Sequence, residues 1–128
     1  MSLPFTTRER IEPGKPGGGQ RKHYAIVQPP QRVGLDQLSE VISRETTLSR
    51  TDVVAVLEAL IQVLPRYLIR GCLIDLGRFG TFRLSLRSRG ENTAKQVTNR
   101  SILGNRLLFR PGKALREAFA QLVYKKVS

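Results

Sequence analysis

The sequence predicts an α+β fold: two N-terminal helices, a three-stranded antiparallel sheet with a protruding β-arm, and a C-terminal helix. Three observations carry this. Apolar residues recur at helical spacing between Leu35 and Arg70. They then alternate with arginines at strand spacing from Thr81 to Arg89, and again from Arg106 to Arg110. Residues suited to starting and stopping helices separate the runs, with Ser49 before one and Gly71 after it.

The elements follow in order. Residues 1–22 contain PGKPGGG, with sparse apolar residues, and read as a flexible, mildly basic Gly/Pro-rich tail. The phosphate-loop pattern Gly-x-x-x-x-Gly-Lys-Ser/Thr does not occur there. The remaining residues, 23–128, form one domain. His23 to Gln28 allows an extra short strand, ended by Pro29 and Pro30. Leu35, Leu38, Val41 and Ile42 predict a first helix over about 35–45. Ser49 and Asp52 are placed as N-cap and acidic third residue of a second helix, from Arg50 to about Arg70. Gly71 is suited to the left-handed stop, and Pro65 should kink the helix near Ile61. Val53, Leu57, Leu60, Leu64 and Leu68 form one stripe of this helix, and Val54, Val56, Ala59, Ile61 and Val63 cover most of the rest. A helix apolar nearly all round must be buried nearly all round. One small sheet and one short helix cannot do that, so a second copy of the chain is expected to, with this helix at the centre of a homodimer.

Cys72 to Leu76 predicts a buried strand, with Cys72 as a small hydrophobe, followed by a turn at Gly77-Arg78-Phe79-Gly80. In the next strand Phe82, Leu84 and Leu86 point one way, while Arg83, Ser85, Arg87 and Arg89 point the other. Arg106, Leu108 and Arg110 share a face of the later strand, with Leu107 and Phe109 opposite. The polar stretch between them, about 88–104, is the expected arm. Pro111 opens a last helix running from Gly112 to about Tyr124, with Leu115, Phe119, Leu122 and Val123 as its apolar stripe. Lys113 and Arg116 stand in its first turns, where the helix dipole disfavours cations, which points to a use such as phosphate contact.

Charge supplies the main indication of function. Lys and Arg number 22 against 10 Asp and Glu, a net +12. Residues 83–116 hold nine basic residues against Glu91 alone, whereas residues 35–76 hold four against six acidic ones. Such separation favours a polyanionic partner, nucleic acid before an anionic membrane surface. A membrane role lacks a cationic amphipathic helix with exposed bulky apolar residues, and no apolar run reaches membrane-spanning length. The early charges Arg8, Glu9 and Arg10 leave no signal-peptide core, and the single cysteine fits a reducing cytoplasm. One histidine supports neither a metal cluster nor a Ser/His/Asp set. No enzyme activity, cofactor, metal or small-molecule substrate is expected.

Two motifs, Gly77-x-Phe79-Gly80-Thr81-Phe82 and Gly112-Lys113-Ala114-Leu115-Arg116, stand at a specific separation. With the order of elements they make residues 35–119 resemble the HU/IHF family of bacterial histone-like DNA-binding proteins. The N-terminal extension, Pro65 and the arm composition are most similar to the extended HU-related proteins of Bacteroidetes. The resemblance implies an intertwined homodimer in the nucleoid, with a saddle of strands and two β-arms wrapping the duplex along its minor groove. It implies that Phe79 and Phe82 are core and dimer-interface residues, joining Leu57, Ile61 and Leu64 of the second helix and Phe109 of the later strand, which their apolar patterns already assign to core and interface. Arg83 and Arg87 would lie on the saddle, and Arg89, Lys95, Arg100 and Arg106 along the arm. Arg110 shares the arginine face, and Lys113 and Arg116 would meet phosphates. In the family an Arg-Asn-Pro at the arm tip wedges between base pairs. Residues 88–104 contain no proline, and nothing selects among Val97, Ile102 and Leu103 as a replacement wedge.

The function expected is sequence-tolerant binding of double-stranded DNA by a homodimer, with an architectural role. The alternative is an RNA-binding or ribosome-associated basic module. RNA recognition commonly places stacking aromatics on the sheet face, and Phe79, Phe82 and Phe109 are assigned to the core instead.

Overall fold

The structure is a computed structural model describing residues 1–15 and 17–127. Pro16, within the expected tail, and Ser128, the last residue of the expected domain, lie outside the described residues. In chain order the elements are β1 (Ser2–Ile11), β2 (Arg21–Val27), α1 (Leu35–Glu45), α2 (Arg50–Ile69), β3 (Ile74–Asp75), β4 (Gly80–Ser88), β5 (Ile102–Pro111), α3 (Lys113–Ala120) and β6 (Val123–Lys126). The class is mixed α+β. The described residues form two three-stranded sheets, β2-β1-β6 and β3-β4-β5, where the sequence predicts one. They belong to two compact units, Met1–Val33 with Ala118–Ser128, and Gly34–Glu117.

In the larger unit, α1 and α2 occupy the positions their apolar spacing predicts. Ser49 Oγ accepts from the Asp52 amide at 3.1 Å, and Asp52 Oδ2 accepts from the Ser49 amide at 3.3 Å. This capping box satisfies two donors that the first turn leaves free. At the other end Gly71 takes φ +82°, and the amides of Gly71 and Cys72 close on the carbonyls of Leu68 and Tyr67. α2 continues through Pro65 to Ile69. Its inward stripe contains Val53 and Leu68, the two buried apolar side chains among the described residues. Leu57 and Leu64 are half-buried, while Val56, Ile61 and Val63 are exposed.

β4 is central in its sheet, antiparallel to both β3 and β5. The expected strand at Cys72 is shorter: β3 begins at Ile74, and Cys72 is exposed rather than buried. Pairing of β4 with β5 ends at Ser88 and Ile102, past an irregularity at Arg87/Ser88. Between them the chain forms 3₁₀ turns at Ala94–Gln96 and Asn99–Ser101. The expected arm, about 88–104, is therefore a folded tip on a shorter hairpin. Its residues satisfy their donors locally: Ser101, fully buried, offers its carbonyl to the Arg89 amide at 2.9 Å and its hydroxyl oxygen to the Thr98 amide at 3.2 Å.

The smaller unit revises the two ends of the chain. Residues 2–11 are strand β1 rather than tail, antiparallel to β2 and parallel to β6. In the connection from β1 to β2, Gly14 and Gly17 take positive φ and the Glu12 amide donates to the Gln20 carbonyl at 3.0 Å. Partners distant in sequence make this strand, so periodicity within residues 1–11 signals it weakly. The last helix stops at Ala120, short of the expected Tyr124. Val123 and Tyr124 enter β6, where the Val123 amide donates to the Met1 carbonyl at 3.1 Å. β-branched and aromatic residues favour that outcome.

Candidate nucleic-acid interface

The two sequence motifs of the larger unit meet in space. The Gly112 amide donates to the Phe79 carbonyl at 2.9 Å, and the Ala114 amide donates to the Arg78 carbonyl at 3.1 Å. The turn Gly77–Gly80 thus supplies acceptors to the start of α3, whose free amides need them. Arg78 contributes through its backbone, a role its side-chain type could not reveal.

Register decides which arginines share a surface. Arg83 pairs with Leu108, Ser85 with Arg106, Arg87 with Gly104 and Thr81 with Arg110. Paired residues lie on the same face of an antiparallel sheet. One face of β4–β5 therefore carries Arg83, Arg87, Arg106 and Arg110, all exposed. None of the four has a carboxylate partner among the described residues. Thr81, Arg83, Leu108 and Arg110 line a cleft of about 360 Å³ with Leu73 and Phe109.

The opposite face carries Phe82, Leu84 and Leu86 against Phe109, Leu107 and Asn105. The rings of Phe79, Phe82 and Phe109 cluster, Phe82 and Phe109 at 4.7 Å between centroids and Phe79 and Phe109 at 5.7 Å. Phe79 nonetheless remains 52% exposed and Ile61 57%.

The other candidate cations are distributed differently. Arg89 Nε donates to Glu91 Oε1 at 2.8 Å, so its charge is locally balanced. Lys95 and Arg100 sit on the two 3₁₀ turns of the hairpin tip. Lys113 opens α3 and lies 3.8 Å from Glu117, and Arg116 is exposed one turn later. Among the described residues, no helix is long and apolar enough to cross a membrane.

A family model described as HU-HIG, an HU domain fused to a wHTH, Ig or glycine-rich motif, matches residues 1–126. The match includes the N-terminal strands as well as the segment 35–119 that carries the sequence motifs. No curated protein matches. Among solved structures, a candidate bacterial DNA-binding protein from Bacteroides vulgatus is similar at TM-score 0.66 and 12% identity. That similarity covers 98% of this chain, which spans 48% of the other. Anabaena HU, in a cocrystal with DNA, is similar at TM-score 0.55 and 20% identity, over 70% of this chain and 99% of the other.

Proposed function

Since the chain belongs to the HU-HIG family of HU domains, we propose that it binds double-stranded DNA as a homodimer, with little sequence preference, in an architectural role within the nucleoid. The observation that carries this reading is the β4–β5 register, which gathers Arg83, Arg87, Arg106 and Arg110 on one exposed face and apolar residues on the other. Guanidinium groups pair well with phosphate, and a row of them along strands positions a duplex without reading its bases. Lys95 and Arg100 at the hairpin tip, Arg89 beside Glu91, and Lys113 and Arg116 at the start of α3 extend the cationic surface. Anabaena HU, which shares the fold, is crystallised with DNA.

The apolar surface left open by one chain supports the homodimer. Ile61 on α2 and the ring cluster of Phe79, Phe82 and Phe109 are interface residues, backed by the half-buried Leu57 and Leu64. No proline stands at the hairpin tip, so duplex binding here rests on charge rather than on a proline wedge.

The test is binding to duplexes of unrelated sequence over a range of salt. If each protomer neutralises about four or five phosphates, log K against log salt falls with a slope of roughly −7 to −9. The Arg83→Ala/Arg87→Ala/Arg106→Ala variant should lose affinity equally on every sequence, with unchanged circular dichroism. A slope near zero, or preference for one site by orders of magnitude, overturns the reading. Stronger binding to structured RNA than to duplex DNA would favour an RNA-binding module instead.

A further inference from the structure

The β2-β1-β6 sheet carries charge that the β4–β5 arginine face does not use. Its unit holds eight basic residues against Glu9 and Glu12, a net +6 that is half of the chain's +12. Register sorts these side chains by face. Leu3 pairs with Tyr124, Phe5 with Val27 and Thr7 with Ala25. This side holds an apolar cleft of about 340 Å³ lined by Leu3, Phe5, Ala25, Val27 and Tyr124, together with Ile26.

The other side is cationic. Arg8 lies opposite Tyr24, Arg10 opposite Lys22, and Lys125 beside Pro4. Like charges directly opposite one another on paired strands are destabilising. The Arg10–Lys22 pair is relieved on two sides: Lys22 Nζ meets Glu12 at 2.9 Å, and the Arg10 guanidinium stands 5.9 Å over the Tyr24 ring. Among the described residues, Arg8, Arg10 and Lys125 have no carboxylate partner. Glu9 is on the opposite face, where it pairs with Arg21 at 3.7 Å. A sheet that merely needed solubility would interleave the two signs.

We infer that this face, built on Arg8, Arg10 and Lys125 with Lys22 and Tyr24, is a second phosphate-binding surface that engages the backbone of duplex DNA. The inference rests on the DNA-binding reading, yet it concerns a different sheet and different residues. Guanidinium and ammonium groups on a strand face suit phosphate oxygens. The face offers little hydrogen-bonding variety for base edges, so its contribution is independent of sequence.

The experiment compares salt titrations of the unsubstituted chain, of Arg8→Ala/Arg10→Ala/Lys125→Ala, and of Arg83→Ala/Arg87→Ala/Arg106→Ala on two unrelated duplexes. Loss of three phosphate contacts should flatten the log–log slope by about 2.7 per protomer. Affinity should fall equally on both sequences, and Arg8→Lys/Arg10→Lys should largely preserve the slope. If the alanine variant fails to fold by circular dichroism, the glutamine version at the same three positions replaces it. A parental slope with the N-terminal variant, while the β4–β5 variant loses its own, overturns the second surface and leaves the first intact. An unsubstituted chain with no salt dependence removes both.

Discussion

Gly80 and Gly112 are fixed by what surrounds them. Gly80 has φ +142°, and a Cβ added there would lie 2.7 Å from the Phe109 ring and closer still to the Arg110 carbonyl oxygen. At Gly112 a Cβ would run into the Arg78 backbone and lie 2.8 Å from the Gly77 carbonyl oxygen. Backbone cannot give way as a flexible side chain can, so alanine at Gly80 must push the turn away from the end of β5, and alanine at Gly112 must separate the turn from the start of α3. Gly77 is a contrast: φ is +61°, but a Cβ would meet nothing within 4 Å. Asparagine tolerates that left-handed conformation. Gly80→Ala and Gly112→Ala should therefore each destabilise by more than about 2 kcal/mol, and Gly77→Asn by about 1 kcal/mol or less. Urea unfolding at one fixed protein concentration measures the order. Equal losses at all three sites would show that left-handed geometry alone, rather than close approach, governs the motif.

At the scale of elements, α2 shows why parts of the fold were legible in the sequence. Its start is written in Ser49 and Asp52, two residues that satisfy each other's amides without distant help. Ser49→Ala removes an acceptor from the first turn and should lower stability by about 1 kcal/mol in urea unfolding, whereas Ser49→Asp should retain most of it. An unchanged midpoint for the alanine variant would mean that water satisfies the Asp52 amide equally well. The β4 and β5 arginine faces were legible for a related reason, because period-two alternation assigns faces before any partner is known. What was not legible depends on residues far apart in sequence. β1 exists through β2 across a glycine-rich loop and through β6 at the other end of the chain. Leu122 and Val123 continue the helical spacing of α3, whereas the β propensity of Val123 and Tyr124 together with the parallel partner β1 makes Val123–Lys126 a strand. At the hairpin tip, short-range bonds of Thr98, Ser101 and Arg89 form turns that no apolar periodicity within 88–104 signals. At the site, the same nonlocality concealed Arg8, Arg10 and Lys125, which share a face only once those strands are paired.

Considered as a whole molecule, one chain has far more apolar surface than it covers. Ordering the backbone costs about 1–2 kcal/mol per residue. Against this, only Val53 and Leu68 are buried apolar side chains among the described residues, while Val56, Ile61, Val63 and Tyr67 of α2 lie exposed. Burying one such side chain fully contributes roughly 1.5–3 kcal/mol, so a second copy covering these faces would decide whether the protein folds. Folding and association should then be one process, as in obligate dimers. Raising the protein concentration about a hundredfold should increase the apparent unfolding free energy by about 2.7 kcal/mol, through mass action alone. The Ile61→Glu variant should yield an unfolded chain rather than a folded monomer, because charge at that position would be buried between copies. Sedimentation combined with concentration-dependent urea unfolding separates the outcomes. A folded monomer with a concentration-independent midpoint would remove the dimer. It would also halve the number of arginine faces available to a duplex, so the salt slope measured on the same sample should fall to roughly half of the dimer value.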